Sequence, residues 1–412
     1  SVRIGICGWG NVATGLYKAI DSNSEQIKSA GNTNIDIVVI GARRDNPKCD
    51  PKETKIERDI FDVLDHDIDV MVELIGGVEV ARELILASID KGIHVVTANK
   101  AVLYHHGDEI FTKAKEKNVH VLYESSVCAG TPIIKMLNEE LAGNKISKIS
   151  GMLNGTSNFI LSQMEDGADF DHTLKFAQEK GYAEPDPSFD IEGMDAAHKI
   201  GILSSIAIGT SLPPNDFYIE GIKDIDSTDF KYASKLGFSI KHLAVASLTE
   251  NEVQLRAHPV LVSSDSYLAG LGGVRNGIEV ETDLIGTLHV AGSGAGQEST
   301  ASGLISDLVY LSNVRSNSSI NLKKRININI QPIDEMEFKY FFKIKTLSKD
   351  FDLNKIEKIF QKNQVSISAE NFDDFYIVII SESFIENKKD SIMISLNNLS
   401  EVDSVKSIRI EP

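Results

Sequence analysis

At 412 residues the chain is long enough for two or three domains, each with its own core. Its 42% hydrophobic and 25% charged content is ordinary for a soluble globular protein. A net charge of −18 at pH 7 argues against nucleic acid and against an anionic membrane surface as partners. Cys7, Cys49 and Cys128 lie scattered, without CxxC or metal spacing, which predicts a reducing compartment and no disulfide framework. No apolar run reaches spanning length and no signal-type segment precedes the first strand, so a cytoplasmic location is expected.

Val2-Arg3-Ile4-Gly5-Ile6-Cys7 is a short apolar run suited to a buried parallel strand. Gly8-Trp9-Gly10-Asn11-Val12-Ala13 follows, then a helical pattern through Leu16, Tyr17 and Ile20. Strand, G-x-G-x-x-A and helix make a dinucleotide-binding arrangement. Gly8 gives the tight turn, Gly10 lets a pyrophosphate approach the backbone, and Ala13 is the small third residue. Asn11 and Val12 open the helix whose N-terminus faces the phosphates. Glycine-rich turns also occur without ligands. A second strand over 35–40 ends in Gly41-Ala42-Arg43-Arg44-Asp45, with no carboxylate at the strand end for a ribose hydroxyl. Two readings fit Arg43 and Arg44: a clamp for a 2′-phosphate, which selects NADP with NAD as the alternative, or a solvated basic turn.

A third strand is expected over 69–75, a helix over 78–91 and a fourth strand over 93–96, delivering Thr97 and Lys100 to its carboxyl end. A helix near 106–117 and a strand over 119–123 complete alternating βα units, hence a doubly wound parallel sheet of Rossmann type. After a loop over 124–132, residues 133–142 read as helix and 146–153 as a strand.

Residues 181–199 concentrate Glu184, Asp186, Asp190, Glu192, Asp195, His198 and Lys199. Pro185 and Pro187 keep the first half out of a helix, and a helix is predicted from Met194 onward. Asp195 and Lys199 then share one face. They are either a surface ion pair or a site. The apolar continuation through Ile200, Ile202, Leu203 and Ile206 favours the site. Alternating runs near 217–223, 239–249 and 252–262 predict an antiparallel-leaning sheet in a second, α+β domain, of the kind that pairs subunits into a homodimer. A glycine-rich turn over 288–296, ending in Gly296, opens a helix through Thr300, Leu304 and Leu308. Residues 313–331 read as a linker with one strand. The series strand 338–346, helix 352–363, strands 364–369 and 375–380, helix 388–399 and strand 404–410 predicts a ferredoxin-like module.

Several of these stretches resemble the homoserine dehydrogenase family. One pattern runs from Ala177 through Gly181, Tyr182, Ala183, Asp186, Pro187, Asp190, Ile191, Gly193 and Asp195 to Lys199. A second is Val95-Val96-Thr97-Ala98-Asn99-Lys100-Ala101, and a third is Asn154-Gly155-Thr156-Ser157-Asn158-Phe159-Ile160. The resemblance implies NAD(P)H-dependent interconversion of L-aspartate 4-semialdehyde and L-homoserine, in the branch of amino-acid biosynthesis that leads to threonine, methionine and isoleucine. It implies Lys199 as proton donor, Lys100 as its neighbour at substrate and cofactor, and Glu184 and Asp195 as substrate-holding carboxylates with Asp190 in support. Gly181 and Gly296 are implied to touch the cofactor. In this family the loop after the Rossmann sheet holds a monovalent cation such as Na+, which implies Glu124 and the carbonyls of Val127, Ala129 and Thr131 as ligands. Cys128 stands where members usually carry glycine.

The last module resembles the ACT domains that follow some members and bind amino acids, but its first turn, 347–353, lacks their Pro-Gly. The implied domain plan is a Rossmann domain over 1–130 completed by 290–312, a catalytic and dimerisation domain over 131–312, a linker over 313–331 and an ACT-like domain over 332–412. Two rivals use the same parts: a phosphorylating semialdehyde dehydrogenase with Cys128 as nucleophile, and a non-catalytic regulator responding to nucleotide or amino acid.

Overall fold

The computed structural model describes residues 1–210, 217–313, 329–349, 351–373 and 375–411. Its internal contacts divide the chain into two compact units. One holds residues 1–149, 198–215 and 280–327; the other holds 150–197, 216–279 and 328–412.

In the first unit β1 (Val2–Cys7), β2 (Ile35–Gly41), β3 (Lys55–Glu57), β4 (Val70–Glu73), β5 (His94–Thr97) and β6 (Val121–Leu122) form one sheet. Their order is β3-β2-β1-β4-β5-β6, and every pair is parallel. The order reverses between β1 and β4, the place where such sheets open a crevice at their carboxyl ends. Helices α1 (Asn11–Ser22), α2 (Ser24–Gly31), α3 (Glu79–Asp90) and α4 (Lys100–Lys117) connect the strands. The helix Gln297–Asn313 returns to this unit. Its Ala301, Leu304 and Leu308 join Ile4, Ile6, Ala13, Leu16 and Val72 in one core. At Gly15 a Cβ would stand 2.6 Å from the Gln297 carbonyl oxygen, so glycine is what lets α1 and this helix approach.

Several boundaries differ from expectation for local reasons. The helix expected near 106 begins at Lys100, because the Asn99 side chain accepts from the Val102 amide and caps it. Leu74 and Ile75 leave the expected third strand, because the Glu73 carboxylate draws the Ile75 and Gly76 amides into a turn. The strand expected over 119–123 shrinks to Val121–Leu122, and within 133–142 lies a π-helical turn, Met136–Glu140. Residues 288–296 are not all turn: Gly286–Ser293 is a strand, and the helix starts at Gln297.

In the second unit the sheet includes, in order, Phe238–Leu248, Glu252–Ser263, Val402–Ile410, Glu337–Thr346, Tyr376–Ser381 and Ile367–Asp373. The first two strands pair antiparallel, as an antiparallel-leaning sheet requires. The run expected near 217–223 supplies only Tyr218–Ile219, parallel to Arg256–Ala257. The C-terminal βαββαβ series is present, with helices Leu353–Lys362 and Lys389–Asn397. Its last strand pairs in parallel with Glu252–Ser263, at Val260 with Arg409 and Leu261 with Ile410. Alternation along Glu337–Thr346 fills two cores. Phe341 packs with Phe159, Tyr232 and Leu261, whereas Tyr340, Phe342 and Ile344 pack with Phe360, Ile392 and Leu396. The module therefore shares a core with the sheet before it. Most of the expected linker, residues 314–328, lies outside the described residues, as does Asp350 of the module's first turn. No helix among the described residues is long and apolar enough to cross a membrane.

Candidate active site

In the second unit a single amide organises the carboxylates. Asn154 caps the helix Gly155–Glu165, its Oδ1 accepting from the Ser157 amide at 2.7 Å. That bond fixes which end of the side chain is Nδ2, which donates to Asp190 at 2.7 Å and to Asp195 at 2.8 Å. The Ser157 hydroxyl adds a bond to the Asp190 carbonyl at 3.0 Å. Asp195 is buried and Asp190 half-buried. Asn154 was not expected to have a site role, although an Asn opening Gly-Thr-Ser is a readable cap signal. Between the aspartates, Gly193 has a φ of +89°, and a Cβ there would sit 3.0 Å from His242 Nε2. Glu184 lies apart and exposed, while Asp186 accepts from the Ser188 amide at 3.1 Å. Gly181, at a φ of +75°, follows the end of the helix Phe170–Glu179 as its left-handed stop.

The helix Met194–Ile208 starts in the second unit and continues into the first. Lys199 follows Asp195 by one turn, and the two are only 8% and 3% exposed, which rules out a surface ion pair. Within the first unit His198 stacks on Tyr104 at 4.0 Å, and a Cβ at Gly201 would meet the same ring at 2.8 Å. Tyr104 lies one turn beyond Lys100 on α4. The helix carrying Lys100 is thus packed, at Tyr104, on the helix carrying Lys199.

The glycine turn after β1 takes the tight backbone its sequence suggests. Gly8 takes a φ of +103°, where a Cβ would stand 2.5 Å from the Leu74 carbonyl oxygen. Gly10 precedes α1 with nothing within 4 Å of the place a Cβ would take, and no side chain caps α1. The amides of the first turn, from Asn11 and Val12 to the buried Ala13, remain available to an anion. Arg43 and Arg44 are exposed on the bend after β2. Arg58, missed in the sequence because it follows β3, pairs with Asp45 at 2.6 Å and donates to the Ala42 carbonyl, neutralising the acid at that turn.

Across the sheet, buried Glu73 accepts from the Thr97 hydroxyl at 2.5 Å, and Thr97 accepts from the Asn99 amide at 2.9 Å. Burial pushes the Glu73 carboxyl up. This ties the β4 turn to the start of α4 at Lys100. Gly296 stands at the N-terminus of the helix Gln297–Asn313, its carbonyl accepting from the Thr300 amide.

Glu124 is also occupied. Its Oε1 accepts from the Ile133 and Ile134 amides at 2.7 and 2.9 Å, and its Oε2 from Lys135 at 2.9 Å. Its own amide donates to Asp307, which pairs with Lys135 at 2.8 Å and which burial pushes up to about 6. Val127, Ala129 and Thr131 are buried in the same loop, and the Ala129 carbonyl would lie 2.6 Å from a Cβ at Gly303. Cys128 is 0% exposed, a poor position for a nucleophile that must meet substrate.

Residues 8–124 match the family model for the homoserine dehydrogenase NAD binding domain, and residues 132–309 match that for homoserine dehydrogenase. The homoserine dehydrogenase of Pseudomonas aeruginosa is 41% identical over 100% of this chain and 99% of its own. That of Neisseria gonorrhoeae is 38% identical over 89% and 87%. The crystal structure of a homoserine dehydrogenase from Thiobacillus denitrificans superposes with a TM-score of 0.92 at 36% identity, covering 100% of this chain and 98% of that one. A hyperthermophilic archaeal homoserine dehydrogenase in complex with NADPH reaches 0.64 at 27% identity, covering 77% and 99%. The chain belongs to the homoserine dehydrogenase family, NAD(P)-dependent oxidoreductases acting on a CH–OH group.

Proposed function

We propose that this chain interconverts L-homoserine and L-aspartate 4-semialdehyde with NADP(H), holding substrate on paired aspartates and moving the proton with Lys199. The observation that carries this reading is Asn154, which joins Asp190 to Asp195 one helical turn before a buried lysine. Homoserine presents an ammonium, a carboxylate and a hydroxyl. The aspartate pair offers the negative charge for the ammonium and an acceptor for the hydroxyl. Glu184 is assigned a supporting part by family resemblance alone. As the aldehyde is reduced, charge grows on its oxygen, and an ammonium at hydrogen-bond distance stabilises and then protonates it. Lys199 fills that role and takes the proton back in the other direction. Lys100, positioned by Asn99, Thr97 and Glu73, orients the reacting groups.

Gly8, Gly10, Asn11, Val12 and Ala13 hold the pyrophosphate, Arg43 and Arg44 the 2′-phosphate, and Thr97, Lys100, Gly181 and Gly296 the remainder. NADP, once bound, supplies or accepts the hydride. The NADPH complex of the archaeal relative supports this preference. A monovalent cation such as Na+ suits the one acceptor position that three amides leave on Glu124, together with the carbonyls of Val127, Ala129 and Thr131. The C-terminal module is read as ACT-like and the protein as a cytoplasmic homodimer of amino-acid biosynthesis.

The test compares NADP and NAD in homoserine oxidation, in the native enzyme and in the Arg43→Ala/Arg44→Ala variant. The KM for NADP is expected to rise about tenfold or more while that for NAD changes little, since charge-assisted bonds to the 2′-phosphate are lost. Equal losses for both cofactors reject the clamp, and no homoserine oxidation in the native enzyme rejects the reading itself.

A further inference from the structure

The carboxylate site rests on a floor that leads to the far end of the chain. Ile191 and Gly193, between Asp190 and Asp195, lie against residues 220–222. The Ile191 carbonyl accepts from the Ile222 amide at 2.9 Å, and a Cβ at Gly221 would stand 2.4 Å from that same oxygen. A Cβ at Gly193 would stand 3.1 Å from the Glu220 carbonyl oxygen. The turn that spaces the two aspartates therefore follows any movement of the Glu220 backbone.

Glu220 is held at three points. Its amide donates to the Ala257 carbonyl at 2.8 Å. Its carbonyl accepts from His242 Nε2 at 2.8 Å, and burial pushes the pKa of that imidazole down. Its carboxylate accepts from the Tyr218 hydroxyl at 2.7 Å and from Arg409 Nη1 at 2.8 Å. Arg409 comes from Val402–Ile410, the last strand of the C-terminal module. Its guanidinium is almost wholly used: Nη2 and Nε bond Glu386 at 2.6 and 3.2 Å, and its face lies over the Tyr218 ring at 4.4 Å. A planar fork bound on two edges and stacked on a ring has one orientation, which a lysine cannot reproduce.

We propose that Arg409 is a positioning residue for the substrate carboxylates, acting through Glu220 and the turn Ile191–Gly193. The C-terminal module thereby helps to shape the substrate site from within the same unit. This rests on the reading of Asp190 and Asp195 as substrate-holding groups. A misplacement near 1 Å at such groups costs up to about 100-fold, so partial loss of the anchor is expected to cost about tenfold in substrate KM.

The test uses the full-length enzyme with Glu220→Ala, Arg409→Lys and the double variant, together with Asp195→Asn. Glu220→Ala leaves Arg409 paired with Glu386, so folding is retained, and the melting temperature checks this. Each single variant is expected to raise the homoserine KM about tenfold while leaving the NADP KM unchanged, with kcat falling less. The double variant is expected to match the worse single one, because both act along one path. An unchanged homoserine KM in folded Glu220→Ala, additive effects in the double variant, or equal rises for homoserine and NADP overturn the proposal. If Asp195→Asn still raises the homoserine KM, the carboxylate reading survives that failure; if it does not, both fall.

Discussion

Replacing Lys199 by alanine is expected to lower kcat for homoserine oxidation by about two to four orders of magnitude, the usual contribution of a positioned general acid. Cofactor should still bind, because the glycine turn and α1 lie on other elements of the first unit. The lysine is buried on a helix whose flanking residues His198 and Gly201 pack on Tyr104, so the variant also removes stem packing. Lys199→Met restores the stem without the ammonium and separates the two effects. Equal loss of turnover in both variants, with NADP affinity retained by calorimetry, assigns the loss to proton transfer. Near-native turnover in Lys199→Met would remove Lys199 from the mechanism.

The second large effect is expected at Glu124. Its two oxygens accept from three backbone amides, those of Ile133, Ile134 and Lys135. Glu124→Ala strands those buried donors at about 1–3 kcal/mol each, so the unfolding free energy should fall by about 3 kcal/mol or more. Glu124→Gln keeps one carbonyl acceptor for the Ile133 and Ile134 amides, and about half that loss is expected. Denaturant unfolding at matched m-values measures both. Wild-type stability for Glu124→Ala would show that the carboxylate is held for a cation and not for the chain.

The parts that could be read from sequence are those whose cause is local. Val2–Cys7, the glycine turn and α1 follow one another directly in the chain, and apolar run, spacing and helix pattern agree there. The burial of Lys199 was legible because Ile200, Ile202 and Leu203 leave its helix no solvated face. The parts that were missed depend on distant partners. Asn154 meets its aspartates 36 and 41 residues away, so its cap signal announced the helix start but not the site. Gly286–Ser293 has no continuous apolar run and largely exposed residues, so its glycines read as a turn. The parallel pairing of Val260 with Arg409 joins strands far apart in the chain, and no periodicity within either strand announces it. That pairing made an expected appended module part of the second unit's core. The short helix Ser227–Lys235 also went unforeseen, although Asp226 and Asp229 form a capping box at its start.

The central claim is direct proton handling by Lys199 during NADP-dependent oxidation of homoserine, with no covalent part for Cys128. It is tested most directly by homoserine-dependent NADP reduction without phosphate, in the native enzyme and in Cys128→Ser, with the product aldehyde trapped and counted. The account predicts one aldehyde for each NADPH, at similar rates in both proteins and with no response to added phosphate. Turnover that needs phosphate and vanishes in Cys128→Ser would contradict it.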